Sequence, residues 1–335
     1  MSTFYDVIKP KTTRPRPPIW FLRQVGRYMP QYQELRGSQS LKAFFHNTDG
    51  ITEATLLGPT LLNVDAAILF ADILSILDGF NISYDFSPGP RINFSPNSPL
   101  HFTENPKETF AYLLEAIANI TKRSPVPLIA FAASPFTLIS YLLDGGASKD
   151  SSTTMAFIYQ YPDKFEELCK VIIEATTVYL KEQVFAGASA IQLFESSSLR
   201  LPSALFSHYV TRPNTKLIRR LKEETLAPIS LFCRCYKEDF FDLFSTGADT
   251  LHPDYHTDLK SVYRALENPG SLQGNIDPAL FLLPQDKFLN ELEKFIAPLK
   301  HKPLYILNSG HGILPQTPLE NVQAAVLCLT SILTF

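Results

Sequence analysis

Three arginines stand close together near the start of the chain, at Arg23, Arg27 and Arg36. A guanidinium group holds a carboxylate through two parallel hydrogen bonds, so such a cluster could bind a substrate that carries several carboxylates. The alternative is a solvated helix start with ordinary surface ion pairs. Asp72 follows a short apolar run and could stabilise a positive charge in a water-poor pocket. It could equally cap a helix that begins at Ile73.

Further polar residues follow the other apolar runs at the point where each run ends. They are Gln24, Ser134, Glu195, Ser196, Arg234, His252, Asp254, Asn275, Asp277, Asn308 and His311. Taken singly, each is explained as well by a turn or a helix cap. In a barrel of parallel strands, however, the carboxyl ends of the strands meet at one face, where the chemistry takes place. We therefore expect these side chains to converge on one site.

The apolar runs alternate with helical patterns along the whole chain. The eight predicted strands are 19–23, 66–70, 127–132, 190–194, 229–233, 249–252, 271–274 and 303–307. The predicted helices are 52–62, 107–120, 162–185, 209–221, 239–245, 258–266, 285–296 and 319–332. Near-continuous apolar strands separated by helices indicate a covered parallel sheet, and eight such units predict an α/β fold, the (β/α)8 TIM barrel. We expect residues 1–335 to form one such domain, with its cleft at the C-terminal ends of the strands.

An open doubly wound sheet is the rival architecture. Its dinucleotide-binding form would need a glycine fingerprint after the first strand, and residues 24–27 do not provide one. The barrel is therefore preferred. The irregular segment 84–106, rich in Pro, Ser and Asn, is too long for an ordinary turn and predicts a hairpin or flap over the barrel.

Charge and composition disfavour several kinds of partner. Lys and Arg number 30 against 33 Asp and Glu, for a net charge of −3, and no block of like charge favours nucleic acid or an anionic membrane. The apolar runs are too short to span a bilayer. Residues 1–10 lack the features of a signal or transit peptide, which predicts a cytoplasmic location.

The four cysteines are too few and too scattered to form a disulfide framework. Cys233 and Cys235 alternate on a predicted strand, so both could face one way and ligate a metal. Tetrahedral zinc needs further ligands, and no His or Cys stands at the usual local spacing. We expect both cysteines to be core residues and predict no metal site.

The segment from Pro18 to Pro30 resembles the first signature of the uroporphyrinogen decarboxylase family, Pro-x-Trp-x-Met-Arg-Gln-Ala-Gly-Arg-Tyr-x-Pro. Leu22 replaces the methionine and Val25 the alanine. Five further blocks are similar to the family in the same order: 67–74, 134–146, 192–196, 272–278 and 310–322. The chain departs from the family pattern at 197–200, where a Trp-Ala-Gly or His-Ala-Gly run is usual, and at 252–256, where Gly-Leu-Asp-Trp is common.

The resemblance implies an enzyme that removes the four acetate carboxyl groups of uroporphyrinogen III as CO2, giving coproporphyrinogen III in haem biosynthesis. It implies no cofactor, and it implies a homodimer. Asp72 would stabilise a cationic pyrrole by accepting hydrogen bonds from the pyrrole N–H groups, and Arg23 is a candidate proton donor. The residues implied to bind the substrate are Arg23, Gln24, Val25, Gly26, Arg27, Asp72, Tyr141, Ser196 and His311, with Arg36 a weaker match.

Two other functions remain open at this point. A zinc- or corrinoid-dependent methyltransferase of the same superfamily would need a His-x-Cys pair and a later cysteine, and no cysteine stands two residues after a histidine. A non-catalytic tetrapyrrole carrier would keep the arginines without needing Asp72.

Overall fold

A computed structural model describes residues 4–9, 16–87, 89–266 and 269–332. Its main sheet has seven parallel strands in the order β1-β4-β5-β6-β7-β8-β9, and β2 and β3 form a separate antiparallel hairpin. The strands are β1 Ala67–Ile68, β2 Tyr84–Asp85, β3 Arg91–Ile92, β4 Leu128–Ala133, β5 Ala190–Glu195, β6 Ile229–Cys233, β7 Thr250–Pro253, β8 Ser271–Gln273 and β9 Tyr305–Ile306.

Helices connect the strands and cover the outside of the sheet. The α-helices are α1 Phe4–Ile8, α2 Pro30–Arg36, α3 Leu41–Phe44, α4 Thr48–Leu57, α5 Pro106–Thr109, α6 Ala111–Arg123, α7 Pro135–Asp144, α8 Ser152–Gln160, α9 Pro162–Phe185, α10 Ser203–Phe206, α11 Arg212–Glu224, α12 Lys237–Phe240, α13 Leu259–Ala265, α14 Gln285–Ile296 and α15 Leu319–Ile332. Turns of 3-10 helix span Ser75–Phe80, Ser198–Arg200, Phe241–Thr246 and Pro278–Leu282, and π-helical turns span Gly58–Leu62 and Ser207–Thr211. Among the described helices, none combines the length and the apolar character needed to cross a bilayer.

The predicted first strand, 19–23, is not a regular strand. Ile19 forms a single parallel bridge with Leu307, just beyond β9, and its carbonyl accepts a hydrogen bond from the backbone N–H of Asp65, just before β1. Segment 18–20 therefore lies between the two edge strands without forming a ladder with either. The fold is a TIM-type barrel that regular strand pairing does not fully close.

The order of strands around the barrel can be counted as eight positions. Segment 18–20 occupies position one, and β1, β4, β5, β6, β7, β8 and β9 occupy positions two to eight. Positions four apart face each other across the barrel.

Most of the other predicted elements are confirmed. The strands at positions two to eight all lie within or overlap their predicted ranges, and α9, α14 and α15 have the predicted bounds. The flap prediction for 84–106 is confirmed in part by the β2–β3 hairpin. The predicted helix 52–62 is instead α4, which starts four residues earlier, followed by a π-helical turn. No prediction was made for α2, α7 or α8.

A chain of polar side chains crosses the barrel interior below the cleft. Trp20 Nε1 donates to Gln273 Oε1 at 3.0 Å, and Gln273 Nε2 donates to His252 Nδ1 at 2.7 Å. His252 Nε2 in turn donates to the carbonyl of Ser309 at 3.0 Å. Burial lowers the pKa of His252 to about 3, so the ring is neutral and can accept and donate at once. The network ties positions one, six, seven and eight together.

Cys233 and Cys235 are core residues, as predicted, with 0% and 2% of their surface exposed. Burial raises the pKa of the Cys233 thiol, and the neighbouring Cys235 raises it further. The Cys233 thiol is therefore protonated and unreactive at neutral pH.

Candidate active site

A cavity of about 590 Å³ opens at the carboxyl ends of the barrel strands. Nine of the ten residues that the sequence assigns to a substrate site line it. They are Arg23, Gln24, Val25, Gly26, Arg27, Asp72, Tyr141, Ser196 and His311. The exception is Arg36, which ends α2 beside Tyr32 and is not part of the lining. The structure thus brings the predicted residues together, while their individual roles stay predictions.

Arg23 sits on an unusual piece of backbone at the first barrel position. Its φ of 54° places it in the left-handed region, which costs a non-glycine residue roughly 1–2 kcal/mol. The turn is held by a hydrogen bond from the N–H of Gln24 to the carbonyl of Phe21, at 3.1 Å. Such strain is typical of functional sites, where the surrounding structure enforces it. Here it belongs to a residue whose side chain lines the cavity.

Asp72 follows β1, and its carboxylate shapes the turn that comes next. Its Oδ1 accepts a hydrogen bond from the backbone N–H of Leu74 at 2.9 Å, shortly before the 3-10 turn that starts at Ser75. Within the described part of the chain, its other carboxylate oxygen accepts no hydrogen bond. Burial raises the pKa of Asp72, and the Leu74 N–H and the charge of Arg23 offset part of that increase. One oxygen therefore shapes the turn and the other is available to a ligand.

The pKa values of two further lining residues show how charge is arranged around the cavity. Burial raises the pKa of Tyr141 on α7, and so does the charge of Asp72, whereas Arg23 and Arg200 oppose the increase. Burial lowers the pKa of His311 to about 4, and the charges of Arg234 and Arg23 add to that effect. His311 is therefore neutral at pH 7 and can act as a hydrogen-bond donor or acceptor to a substrate.

Hydrogen bonds to Thr137, which is itself bonded to Glu195, hold the loop that carries Ser196 in place. The Thr137 hydroxyl accepts hydrogen bonds from the backbone N–H groups of Ser196 at 2.8 Å and Ser197 at 3.1 Å. It donates its own proton to the carboxyl group of Glu195, which is fully buried. Burial raises the pKa of Glu195 to about 7, although Thr137 and Asn214 lower it by hydrogen bonding.

Gln24 lines the cavity and also connects two positions of the barrel. Its side chain is fully buried, with Nε2 donating to the carbonyl of Ala66 at 3.1 Å and Oε1 accepting from the N–H of Phe21 at 3.3 Å. Gly58 makes room for it, since a Cβ there would lie 2.6 Å from Gln24 Nε2. The side chain thus joins positions one and two of the barrel.

The assignment from sequence missed two classes of lining residue. The first is the pair Arg200 and Arg234, of which Arg234 was expected to converge on the site but was not assigned to the substrate. The second is a row of phenylalanines on three adjacent strands, Phe131, Phe194 and Phe232, whose ring centroids are 5.6 and 5.9 Å apart. The only available signal was their position at the ends of the predicted strands. The row forms an apolar wall suited to the flat faces of a large ring system.

No metal centre is found among the residues that the structure describes. Within those ranges, no three or more His, Cys, Asp or Glu side chains are grouped so that they could hold a metal ion.

A barrel whose cleft combines four arginines with one deeply placed carboxylate defines an enzyme of the TIM-barrel class that takes a polyanionic substrate. The family model for uroporphyrinogen decarboxylase (URO-D) matches residues 1–331. The chain therefore belongs to the uroporphyrinogen decarboxylase family, and uroporphyrinogen decarboxylases are carboxy-lyases.

Curated relatives agree with this assignment over their full lengths. The chain is 74% identical over 334 residues to a uroporphyrinogen decarboxylase of Chlamydia abortus and 73% identical to one of Chlamydia caviae, with all of each chain covered. It is 64% identical to a uroporphyrinogen decarboxylase of Chlamydia trachomatis serovar D, covering 100% of this chain and 99% of the relative.

Solved structures with little sequence similarity share the fold. A methyltransferase from Methanosarcina mazei matches with a TM-score of 0.78 at 18% identity, covering 95% of this chain and 94% of that one. A B12-independent methionine synthase from Shewanella sp. W3-18-1 matches with a TM-score of 0.59 at 13% identity, covering 85% and 89%. At these identities the likeness concerns the barrel alone and says nothing about the reaction.

Proposed function

We propose that this chain decarboxylates the acetate side chains of uroporphyrinogen III and yields coproporphyrinogen III. The observation that carries the proposal is the placement of Asp72 in a cavity whose other charged groups are arginines, with one carboxylate oxygen that accepts no hydrogen bond from the described residues. Relatives that are named for this activity and match over the full length support it.

The substrate itself can supply the electron sink. Protonation of the pyrrole carbon next to the one that bears the acetate gives an iminium-like cation. The carbon–carbon bond to the carboxylate then breaks, CO2 leaves, and the bond electrons neutralise the cation. Protonation of the exocyclic carbon and loss of the ring proton leave a methyl group. In this scheme the protein supplies binding, orientation and electrostatic stabilisation.

Asp72 would accept hydrogen bonds from the pyrrole N–H groups at the centre of the macrocycle and stabilise the cation. A preorganised group of this kind contributes roughly 3 to 4 kcal/mol to lowering the barrier. The raised pKa of Asp72 fits this role, because a carboxylate with few compensating partners gains most when a cation forms beside it.

Arg23 and Arg27 would hold carboxylates near the reacting ring, and Tyr141, Ser196 and His311 would bind other substrate groups or orient the ring. Arg23 is also the candidate proton donor, although a guanidinium is a very weak acid and a water molecule or a substrate carboxyl group could deliver the proton instead. Arg36 is the weaker assignment, because it lies outside the cavity lining. We further propose that the enzyme acts as a cytoplasmic homodimer.

Product analysis tests the proposed function. The purified protein is incubated anaerobically with uroporphyrinogen III, and the porphyrins are separated by chromatography after oxidation. Accumulation of coproporphyrin with release of CO2 is expected. Stable binding of substrate without any loss of carboxyl groups would instead favour a tetrapyrrole carrier. The methyltransferase alternative is not favoured, because its support is a shared fold at 18% identity or less.

A further inference from the structure

We propose that Arg200 and Arg234, here called the distal arginine pair, form a second carboxylate-binding subsite on the wall of the cavity opposite Arg23. The subsite would hold side-chain carboxylates of the porphyrinogen rings that are not reacting. The inference rests on the proposed function and adds a substrate contact for which the sequence carried no assignment.

The order of the barrel positions places the distal pair across the cleft from the first arginine cluster. Arg23 and Arg27 follow position one, whereas Arg234 follows β6 at position five, directly across the barrel. Arg200 lies in the 3-10 turn after β5, at position four. Both members line the same cavity as Arg23 and Asp72.

Each distal arginine is held by its Nε atom, which leaves the end of its guanidinium group free. Arg200 Nε donates to the carbonyl of Lys149 at 2.7 Å, and Arg234 Nε lies 3.5 Å from Oδ2 of the fully buried Asp254. Their terminal nitrogens donate no hydrogen bond to any other residue in the described ranges. Two parallel N–H groups at the end of a fixed guanidinium are what a carboxylate needs for a two-pronged interaction.

The charge distribution of the ligand explains why a second cluster is needed. A porphyrinogen with eight carboxylates carries them all around its rim, so arginines on one wall alone would leave the opposite edge buried without counter-charges. The charged residues of the lining are four arginines and Asp72, with the arginines divided between the two walls. Arg23 and Arg234 both act on His311, which places their charges around one shared space.

One member of the distal pair lies where the chain departs from the family pattern, since Arg200 belongs to segment 197–200. Asp254, which orients Arg234, lies in segment 252–256 at the position where the family pattern also has an aspartate. His256 Nδ1 lies 2.9 Å from the same Oδ2 of Asp254, so this carboxylate anchors groups from two loops. The departure at 197–200 therefore lies on the distal wall.

Kinetics of Arg200→Gln and Arg234→Gln test the proposal, after wild-type turnover of uroporphyrinogen has been established. For each variant we expect KM to rise about tenfold, the effect of one charged contact, while kcat stays within about twofold. Arg200→Lys and Arg234→Lys should recover part of the affinity. Arg219→Gln removes the same charge from an exposed position on α11 and should leave KM unchanged.

The outcomes separate the two proposals. A wild-type protein without decarboxylase activity would overturn the proposed function, whatever the variants do. An active wild type with an unchanged KM in folded Arg200→Gln would overturn the distal subsite alone, as would an equal rise in KM for Arg219→Gln. If Arg234→Gln fails to fold because Asp254 loses its partner, Arg200→Gln and Arg234→Lys still decide the matter.

Discussion

Arg16 and Asp65 form a largely buried two-pronged ion pair where segment 18–20 meets the start of β1. The Nη1–Oδ2 and Nη2–Oδ1 distances are 2.6 and 2.8 Å. The same Asp65 Oδ2 accepts the backbone N–H of Ile19 at 2.8 Å, so the pair attaches segment 18–20 to the start of β1. Side chains thus replace the ladder that regular strands would form at this position.

Loss of the Arg16 side chain should destabilise the protein strongly. Arg16→Ala leaves a largely buried carboxylate without its partner, which typically costs about 3 to 5 kcal/mol of unfolding free energy. Arg123→Ala is the matched control, since Arg123 and Glu53 form a similar two-pronged pair with side chains about half exposed. That variant should lose much less stability, because water screens an exposed ion pair. Equal losses of unfolding free energy in urea titrations of the two variants would argue against a stabilising role for the Arg16–Asp65 pair.

Two glycines near the end of the chain should respond to substitution in different ways. A Cβ on Gly312 would lie 2.5 Å from Cδ of Arg23, a side-chain atom that can move aside. Gly312→Ala should therefore displace Arg23 and lower kcat/KM by roughly 10- to 100-fold without unfolding the protein. A Cβ on Gly310 would lie 2.4 Å from the backbone nitrogen of Tyr255, and a backbone atom cannot move aside as easily as the Arg23 side chain. Gly310→Ala should lower the melting temperature instead, and a reversed pattern would contradict the model of the cleft.

Asp72→Asn should abolish most of the activity and keep the fold. The amide oxygen can still accept the Leu74 N–H, but the charge that stabilises the cation is lost, so kcat should fall roughly 100- to 1,000-fold. Asp286→Asn, at an exposed position on α14, should have no effect. Turnover near the wild-type level in a folded Asp72→Asn protein would remove Asp72 from the mechanism.

The raised pKa of Asp72 also predicts two pH dependences. Activity needs the ionised form, so kcat/KM should fall as the pH drops through the raised pKa, at a higher pH than an ordinary aspartate would give. Because the raised pKa disfavours the charged form in the folded state, Asp72→Asn should be more stable than wild type at pH 7. That difference should disappear as the pH falls below the pKa of the unfolded chain. A less stable Asn variant at neutral pH would contradict this reasoning.

Glu195 should make the protein less stable as the pH rises toward neutrality. Its pKa rises from 4.5 to about 7 on folding, so the stability it contributes is fully present at low pH and is lost between those values, by about 3 kcal/mol at most. Glu195→Gln should flatten this part of the stability curve, measured by urea unfolding at pH 5 and pH 8. An unchanged slope in the variant would show that another group titrates there.

The parallel sheet and the location of the site followed from the sequence because they depend on local patterns. Buried strands such as β6 are continuous apolar runs, and helices such as α9 carry a long amphipathic repeat, so both were predicted with correct or nearly correct bounds. The strand ends then indicated where Asp72 and His311 would meet.

The features that the sequence did not predict correctly depend on contacts between distant parts of the chain. Segment 18–20 reads as a strand but is held by Asp65 and Leu307, which are distant in the sequence, and no local pattern reveals that its pairing stops at one bridge. Arg234 was expected near the site, but neither it nor Arg200 was assigned to the substrate, because the family resemblance implied no role for either position. Their membership in the cleft depends on the carbonyl of Lys149 and on Asp254, partners that only the folded chain brings near.

The hydrogen bond from the Leu22 N–H to Asn308 Oδ1 joins residues 286 positions apart. During synthesis on the ribosome, the turn that carries Arg23 emerges early. It can form its native contacts only after nearly all of the remaining chain has been made. Contacts of such high sequence separation slow folding. Nascent chains that stall before residue 308 should therefore be unable to bind the tetrapyrrole, even when their early helices have formed.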